Sequence, residues 1–314
     1  MTSKEIVIKV PSRMTINYED EIIRKLNCIY DYAQKLRSFF ALEFIDVKEI
    51  DLLGLLILYK FLEYSVLNKC FNNPYLLNFD SNKVISNRVS YFGFSELLDE
   101  LKNSKDSDKQ YKNLQINVAK DFIIAPMALL KETNSSDYLN TEYAKRIESY
   151  YIDEKTNTMI FTVFSEIFLN FWAHASGDNK SIIVAHGNQN YVEIACADTG
   201  QGIIKSITEA YPNCKREKAL QMALIKGVTS KKNTNHMGYG LWLINEIVEK
   251  TKGKILLQSE EYCYENNQGK TRFRQTPCWH GTIVYVKLFL SNPVTIDDIE
   301  QKNKELKTLK INFQ

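Results

Sequence analysis

Seven of the chain's twelve glycines (Gly177, Gly187, Gly200, Gly202, Gly227, Gly238 and Gly240) fall between residues 177 and 240, and four of them form two Gly-x-Gly pairs. Glycine tolerates left-handed backbone and lets another molecule reach the main chain without meeting a side chain. Its concentration in about a fifth of the chain marks where such approach is needed. The other residues compose an ordinary globular protein, 44% hydrophobic and 25% charged over 314 residues, which excludes collagen-like, disordered and low-complexity classes. At roughly 150 residues per domain, this length predicts two domains.

Charge and cysteine usage exclude further classes. Forty basic and 38 acidic residues leave a net charge of +2, without the basic excess of a nucleic-acid binder, so no nucleic-acid partner is expected. The longest apolar run, Phe122 to Leu130, is nine residues, against about 20 for a bilayer span, so no membrane association is expected. The start, Met-Thr-Ser-Lys-Glu-Ile, lacks the apolar core of a signal peptide. Six scattered cysteines (28, 70, 196, 214, 263 and 278) make no Cys-x-x-Cys pair, which argues against a zinc site and a disulfide framework. A reducing, cytoplasmic setting follows as the expectation.

Apolar periodicity divides the chain into an α/β unit over residues 1–100, a polar linker over 101–113, a second unit over 114–291, and a terminal helix or tail over 292–314. In the first unit, strands are predicted at Ile6–Val10, Leu42–Asp46 and near Tyr75–Phe79, with helices over 19–40, 51–68 and near 82–90. The second unit reads helix, helix, paired strands, a glycine-bearing region, helix, then more strands.

Three patterns in the second unit carry chemistry. The helix predicted over 156–175 buries Met159, Ile160, Val163, Phe164, Ile167, Phe168 and Phe171, while Glu166, Asn170 and His174 recur every four residues as one stripe, about 6 Å apart per step. The strand Tyr191–Ala197 ends in Asp198-Thr199-Gly200-Gln201-Gly202-Ile203, a carboxylate followed by two glycines, suited to a ligand pressed against backbone. Gly227-Val228-Thr229-Ser230-Lys231-Lys232 then leads to His236-Met237-Gly238-Tyr239-Gly240, which opens the helix Leu241–Glu249. Amides at a helix start attract phosphate, and Lys231 adds positive charge. Gly281-Thr282 precedes the strand Ile283–Leu288.

The intervals are 28 residues from Asn170 to Asp198, 40 from Asp198 to Gly238, and 41 from Gly240 to Gly281. In this order and spacing the second unit resembles the GHKL ATPase superfamily of gyrase B subunits, heat-shock chaperones, mismatch-repair ATPases, histidine kinases and anti-sigma-factor kinases. Glu166-x-x-x-Asn170-x-x-x-His174-Ala175 resembles its N box, Asp198-x-Gly200-x-Gly202 its G1 box, and Gly238-x-Gly240 its G2 box. The resemblance implies a two-layer α/β sandwich, the histidine kinase-like ATPase fold, with ATP between the helical layer and a mobile lid over about 204–237. It implies Asn170 as the Mg²⁺ ligand, Glu166 as the catalytic base, and Asp198 as acceptor for the exocyclic amine of adenine. Gly200, Gly202, Ile203 and Thr282 are then expected beside the purine, Lys231, Gly238, Tyr239 and Gly240 by the phosphates, and His174 either in contact with the lid or in packing.

All four histidines (174, 186, 236 and 280) lie in the second unit, so the chain shows no acceptor histidine ahead of it, and the resemblance is closest to the anti-sigma-factor serine kinases. The first unit resembles STAS domains through Leu42–Asp46 and Ile50–Leu56, with Leu52 and Leu53 where that family carries hydroxyls, so no phosphoacceptor is expected there. Together these imply a regulatory ATP- and Mg²⁺-dependent ATPase or Ser/Thr phosphotransferase that acts on a protein partner and can form a homodimer. The alternative is a nucleotide-gated binding module without turnover.

Overall fold

The computed structural model describes residues 5–36, 39–67, 75–102, 121–129, 139–174, 181–230 and 238–300; within these, the side chains of 5, 28–36, 39–40, 66–67, 75, 100, 102, 125, 127–129, 140, 142 and 172–174 lie outside that description. The first half begins with β1 (Glu5–Lys9), β2 (Arg13–Met14), α1 (Glu19–Leu36), β3 (Phe39–Glu43) and β4 (Glu49–Ile50). It continues through α2 (Leu52–Leu67), β5 (Tyr75–Leu77), α3 (Lys83–Phe92) and α4 (Ser95–Lys102). Strands β1, β3 and β5 form a parallel sheet in that order, and β2 pairs with β4.

Helix α2 explains how this half is built. The side chain of Asp51 starts it by accepting the Gly54 N–H at 2.8 Å, while its second oxygen accepts the Ile16 N–H at 2.8 Å. Every side chain from Leu52 to Glu63 is buried. A helix apolar on all sides must be covered on all sides. Its core includes Phe44, Ile22 and Leu26, and also Ile182, Val184, Ala195, Ala197, Ile283 and Tyr285 from the sheet of the second half.

That sheet is antiparallel and five-stranded, in the order β6-β7-β8-β10-β9. Its strands are β6 (Phe122–Leu129), β7 (Ser181–Gly187), β8 (Tyr191–Ala197), β9 (Lys254–Asn267) and β10 (Lys270–Phe289). The segment Phe122–Leu129 is an edge strand, where the sequence pattern predicted a helix to open the unit. Isoleucines at 123 and 124 favour extended backbone, and Pro126, with no N–H to give, sits in a register shift between Ile124 and Met127. Gln268 and Gly269, both at positive φ, close the β9–β10 hairpin.

The front face of this sheet, with Ile183, Ile194, Cys196, Leu257 and Val284, packs on α6 (Glu154–His174) and α9 (Gly240–Lys250). α5 (Ala144–Tyr150), α7 (Ile203–Ala210) and α8 (Arg216–Ala223) join the same core. This is the expected two-layer α/β sandwich, with the first half of the chain forming a further layer on its back. Burial on both faces accounts for the nearly unbroken apolar runs of β7 and β8. The polar exceptions on the back face are paired: His186 Nδ1 lies 3.1 Å from Glu193 Oε1, the Tyr285 hydroxyl donates to Glu193 Oε2 at 2.5 Å, and Tyr91 of α3 meets His186 Nε2 at 3.1 Å. Beyond β10, the Val294 N–H reaches Met159 Sδ, and Ile299, in a helical segment starting at 296, is buried against the front core.

Candidate functional site

One cleft opens between α6, the start of α9, the loop before it, and the end of the sheet. The space between its walls is about 910 Å³ with the open mouth counted in. Its lining combines an apolar floor, including Ile167, Phe171, Ile207 and Val284, with polar groups from separate elements.

Helix α6 contributes Glu166 and Asn170, one turn apart. Both face the first residue of α9: a Cβ on Gly240 would stand 2.6 Å from Glu166 Oε2 and 2.8 Å from Asn170 Nδ2. Only glycine leaves these two side chains in place beside the amino end of α9, where backbone N–H groups point outward. Burial raises the Glu166 carboxyl above its ordinary value, so its ionised form takes up a proton more readily than that of an exposed glutamate. Asn170 Nδ2 is buried and has no hydrogen-bond partner among the described residues. Such an orphaned amide is costly unless something outside the chain meets it.

These residues fit a hard cation. Rotating the Asn170 amide exchanges nitrogen for oxygen, so the group can offer an oxygen ligand. No cluster of three or more His, Cys, Asp or Glu side chains suited to a metal exists among the described residues. A cation here would therefore take most of its ligands from elsewhere, as Mg²⁺ does from phosphates and water.

Asp198 lies just beyond β8, buried and lining the cleft. Its Oδ1 accepts the Gly200 N–H at 2.7 Å, and its own N–H donates to the Thr282 carbonyl at 2.9 Å. Gly202 (φ +81°) and Ile203 line the cleft where α7 begins, and the Ile203 N–H donates to Ser259 Oγ at 2.9 Å. Thr282 is buried and lines the same space.

Gly238, Tyr239 and Gly240 form the third side. The Gly227 N–H donates to the Gly238 carbonyl at 3.0 Å, which pins the preceding loop to the start of α9. At the rim, Lys226 Nζ stands 4.9 Å from the Tyr239 ring and 4.4 Å from that of Trp242, and pairs with Glu300 at 3.3 Å.

Of the residues singled out in the sequence, Asn170, Asp198, Gly202, Ile203, Gly238, Tyr239, Gly240 and Thr282 line one cleft, with Glu166 behind Gly240. Gly200 does not line it and instead caps the Asp198 carboxylate. Lys231 and the side chain of His174 lie outside the described residues. The expected lid is partly structured: 203–223 form α7 and α8, and Ile204, Ile207, Ala219 and Leu220 belong to the core. Amphipathic burial leaves these helices little freedom to act as a loose flap. The sequence reading missed Ser259 and Trp279, which hold the Asp198 region from β9 and β10. Neither has a local signature, since their role arises from cross-strand proximity.

Residues 156–288 match the family described as Histidine kinase-, DNA gyrase B-, and HSP90-like ATPase. The match spans nearly all of α6 through β10, the elements that surround the cleft. A stretch of 93 residues is 32% identical to a probable C4-dicarboxylate sensor kinase of Halalkalibacterium halodurans. That stretch covers 29% of this chain and 15% of the relative's length. No helix among the described residues is long and apolar enough to cross a membrane.

Proposed function

We propose that the cleft binds ATP with Mg²⁺, and that the chain is a regulatory ATPase or Ser/Thr phosphotransferase whose nucleotide state is read by a protein partner. The observation that carries this reading is the placement of Glu166 and the unsatisfied Asn170 amide side by side against Gly240 at the amino end of α9, with Asn170 in the cleft that Asp198 also lines. The family match over the same residues supports it.

In this reading Asp198 accepts a hydrogen bond from the exocyclic amine of adenine, with Gly202, Ile203 and Thr282 around the ring. The N–H groups at Gly238–Gly240 meet the phosphates. Asn170 holds the Mg²⁺, which when bound neutralises phosphate charge. Glu166 takes the proton from water or a partner's hydroxyl as that oxygen bonds to the γ-phosphorus. The bond from that phosphorus to the bridging oxygen breaks, and ADP leaves with the electron pair.

The first half serves as a docking or control module in a cytoplasmic regulator of anti-sigma-factor-kinase type. Leu52 and Leu53, at the positions where STAS domains carry hydroxyls, are buried apolar side chains, so this module holds no phosphoacceptor there. Titration calorimetry with Mg-ATP, followed by an overnight assay for ADP, tests the whole reading. Binding plus ADP release supports it, and binding without release makes the chain a nucleotide-gated binding module. Absence of binding overturns both.

A further inference from the structure

Trp279 lies outside every motif that marks the cleft, yet it is buried and donates its indole N–H to the Asp198 carbonyl at 2.9 Å. It stands in an irregular stretch. Pairing of β10 with β9 shifts register between Gln275 and Trp279 and again between Trp279 and Thr282. Such bulges re-aim side chains out of a strand's normal alternation. Gly281 follows at φ +103°, so near that a Cβ there would lie 2.4 Å from the Asp198 carbonyl oxygen and 2.5 Å from its Oδ1. Ser259 Oγ donates to the Gly281 carbonyl at 3.0 Å, and Thr282 accepts the Asp198 N–H. The main chain of Asp198 is thus fixed from one short piece of β10.

The first half of the chain holds that same piece. Arg274 forms ion pairs with Glu19 and Asp20 in the first turn of α1. Asn27 of α1 donates Nδ2–H to the Cys278 carbonyl at 2.5 Å. Tyr64 of α2 stacks on His280 with ring centres 5.2 Å apart and planes 8° from parallel. Trp279 itself belongs to the core that α1 and α2 share with the back of the sheet.

We infer that residues 274–282 form a strap through which the first half of the chain sets adenine recognition, with Trp279 as the positioning residue for Asp198. The inference rests on the reading of the cleft as an ATP site. A close-packed interior transmits displacement instead of absorbing it, and a directional hydrogen bond weakens steeply when its acceptor is misplaced. A shift of α1 or α2 therefore moves the strap, and the strap moves the carboxylate.

The test titrates the full chain with Mg-ATP and with Mg-inosine triphosphate, whose base carries an oxo group where adenine has the amine. Wild type is expected to prefer ATP by tenfold or more. Trp279→Phe keeps most of the ring and removes the N–H. It should weaken ATP about three- to tenfold, the worth of one hydrogen bond, while inosine triphosphate binds as before. Tyr64→Ala and Asn27→Ala, neither of which lines the cleft, should narrow the preference in the same direction. Equal losses for both nucleotides, or an unchanged preference in these variants, would overturn the inference while leaving the ATP site intact. Should Trp279→Phe fail to fold, the two remote variants decide the matter. A wild-type chain that binds neither nucleotide removes the ATP reading and this inference together.

Discussion

Gly240 is seated against Glu166: a methyl group at its Cα would lie 2.6 Å from Oε2 and 2.8 Å from the Asn170 amide nitrogen. Both obstructing atoms are the far ends of side chains that can swing aside, so Gly240→Ala should fold. Gly240 is not among the residues at positive φ, so alanine fits its backbone and, by restricting the unfolded chain, stabilises the fold by about 0.4–1 kcal/mol. The expected outcome is a melting temperature at or slightly above wild type, with Mg-ATP affinity reduced tenfold or more because the displaced Asn170 amide leaves the cleft. Unfolding curves and calorimetry together check this, and unchanged affinity would remove Asn170 from the binding site.

Glu166→Gln separates binding from chemistry. The amide keeps the shape of the side chain and cannot take a proton, so affinity should hold while turnover falls at least tenfold, within the ~10²–10⁴ range for loss of a general base. The pH profile gives a second reading. A base works deprotonated, and burial raises the Glu166 carboxyl, so turnover should fall with acidification at a higher pH than for an exposed glutamate. Glu166→Gln should lose that acidic limb. Asn170→Ala should abolish the Mg²⁺ dependence of binding, measured by titration with and without chelator.

Asp51 gives a stability prediction away from the cleft. Burial pushes its carboxyl up to about 6 from an ordinary 3.8, against the lowering effect of the Gly54 and Ile16 N–H groups. Between these values the folded chain holds a proton that the unfolded chain releases, so stability falls as pH rises through that window. The ceiling is about 3 kcal/mol, from roughly two pH units. Asp51→Asn removes the charge but leaves one oxygen for two donors, a cost that does not vary with pH. The stability of Asp51→Asn relative to wild type should therefore improve from pH 4 to pH 7 in urea titrations; a flat difference would mean that the buried charge is not strained.

Much of this architecture is written in local patterns. The strand Tyr191–Ala197 is read from its short, nearly unbroken apolar run, and the helix around Glu166 and Asn170 from periodicity, because it turns an apolar set toward one core. The cleft residues fall at element ends whose glycines are visible as punctuation. Contacts made across the sheet are less visible. Trp279 reads as one more aromatic in a strand, and its pairing with Asp198 exists only because β10 is bulged. The second covered face of the sheet left a trace, the all-round apolarity of α2, but periodicity cannot say which partner covers a helix. The strand at Phe122–Leu129 was missed because a short apolar run is compatible with either state until its neighbour is known.

The same helix α2 carries a buried ion pair, with Lys60 Nζ 2.5 Å from Glu63 Oε2 and side-chain exposures of 0% and 5%. The Tyr59 hydroxyl also donates to Glu63 Oε1, at 3.4 Å. Removing one member of such a pair leaves a buried charge without its counterion and costs about 3–5 kcal/mol, whereas replacing both is often close to neutral. Lys60→Met should therefore destabilise strongly, and adding Glu63→Gln to it should recover at least about 2 kcal/mol of the loss. Urea unfolding of wild type, the two single variants and the double closes the cycle. Additive effects would show that the two charges do not stabilise each other, and that α2 tolerates a buried Lys60 for some other reason.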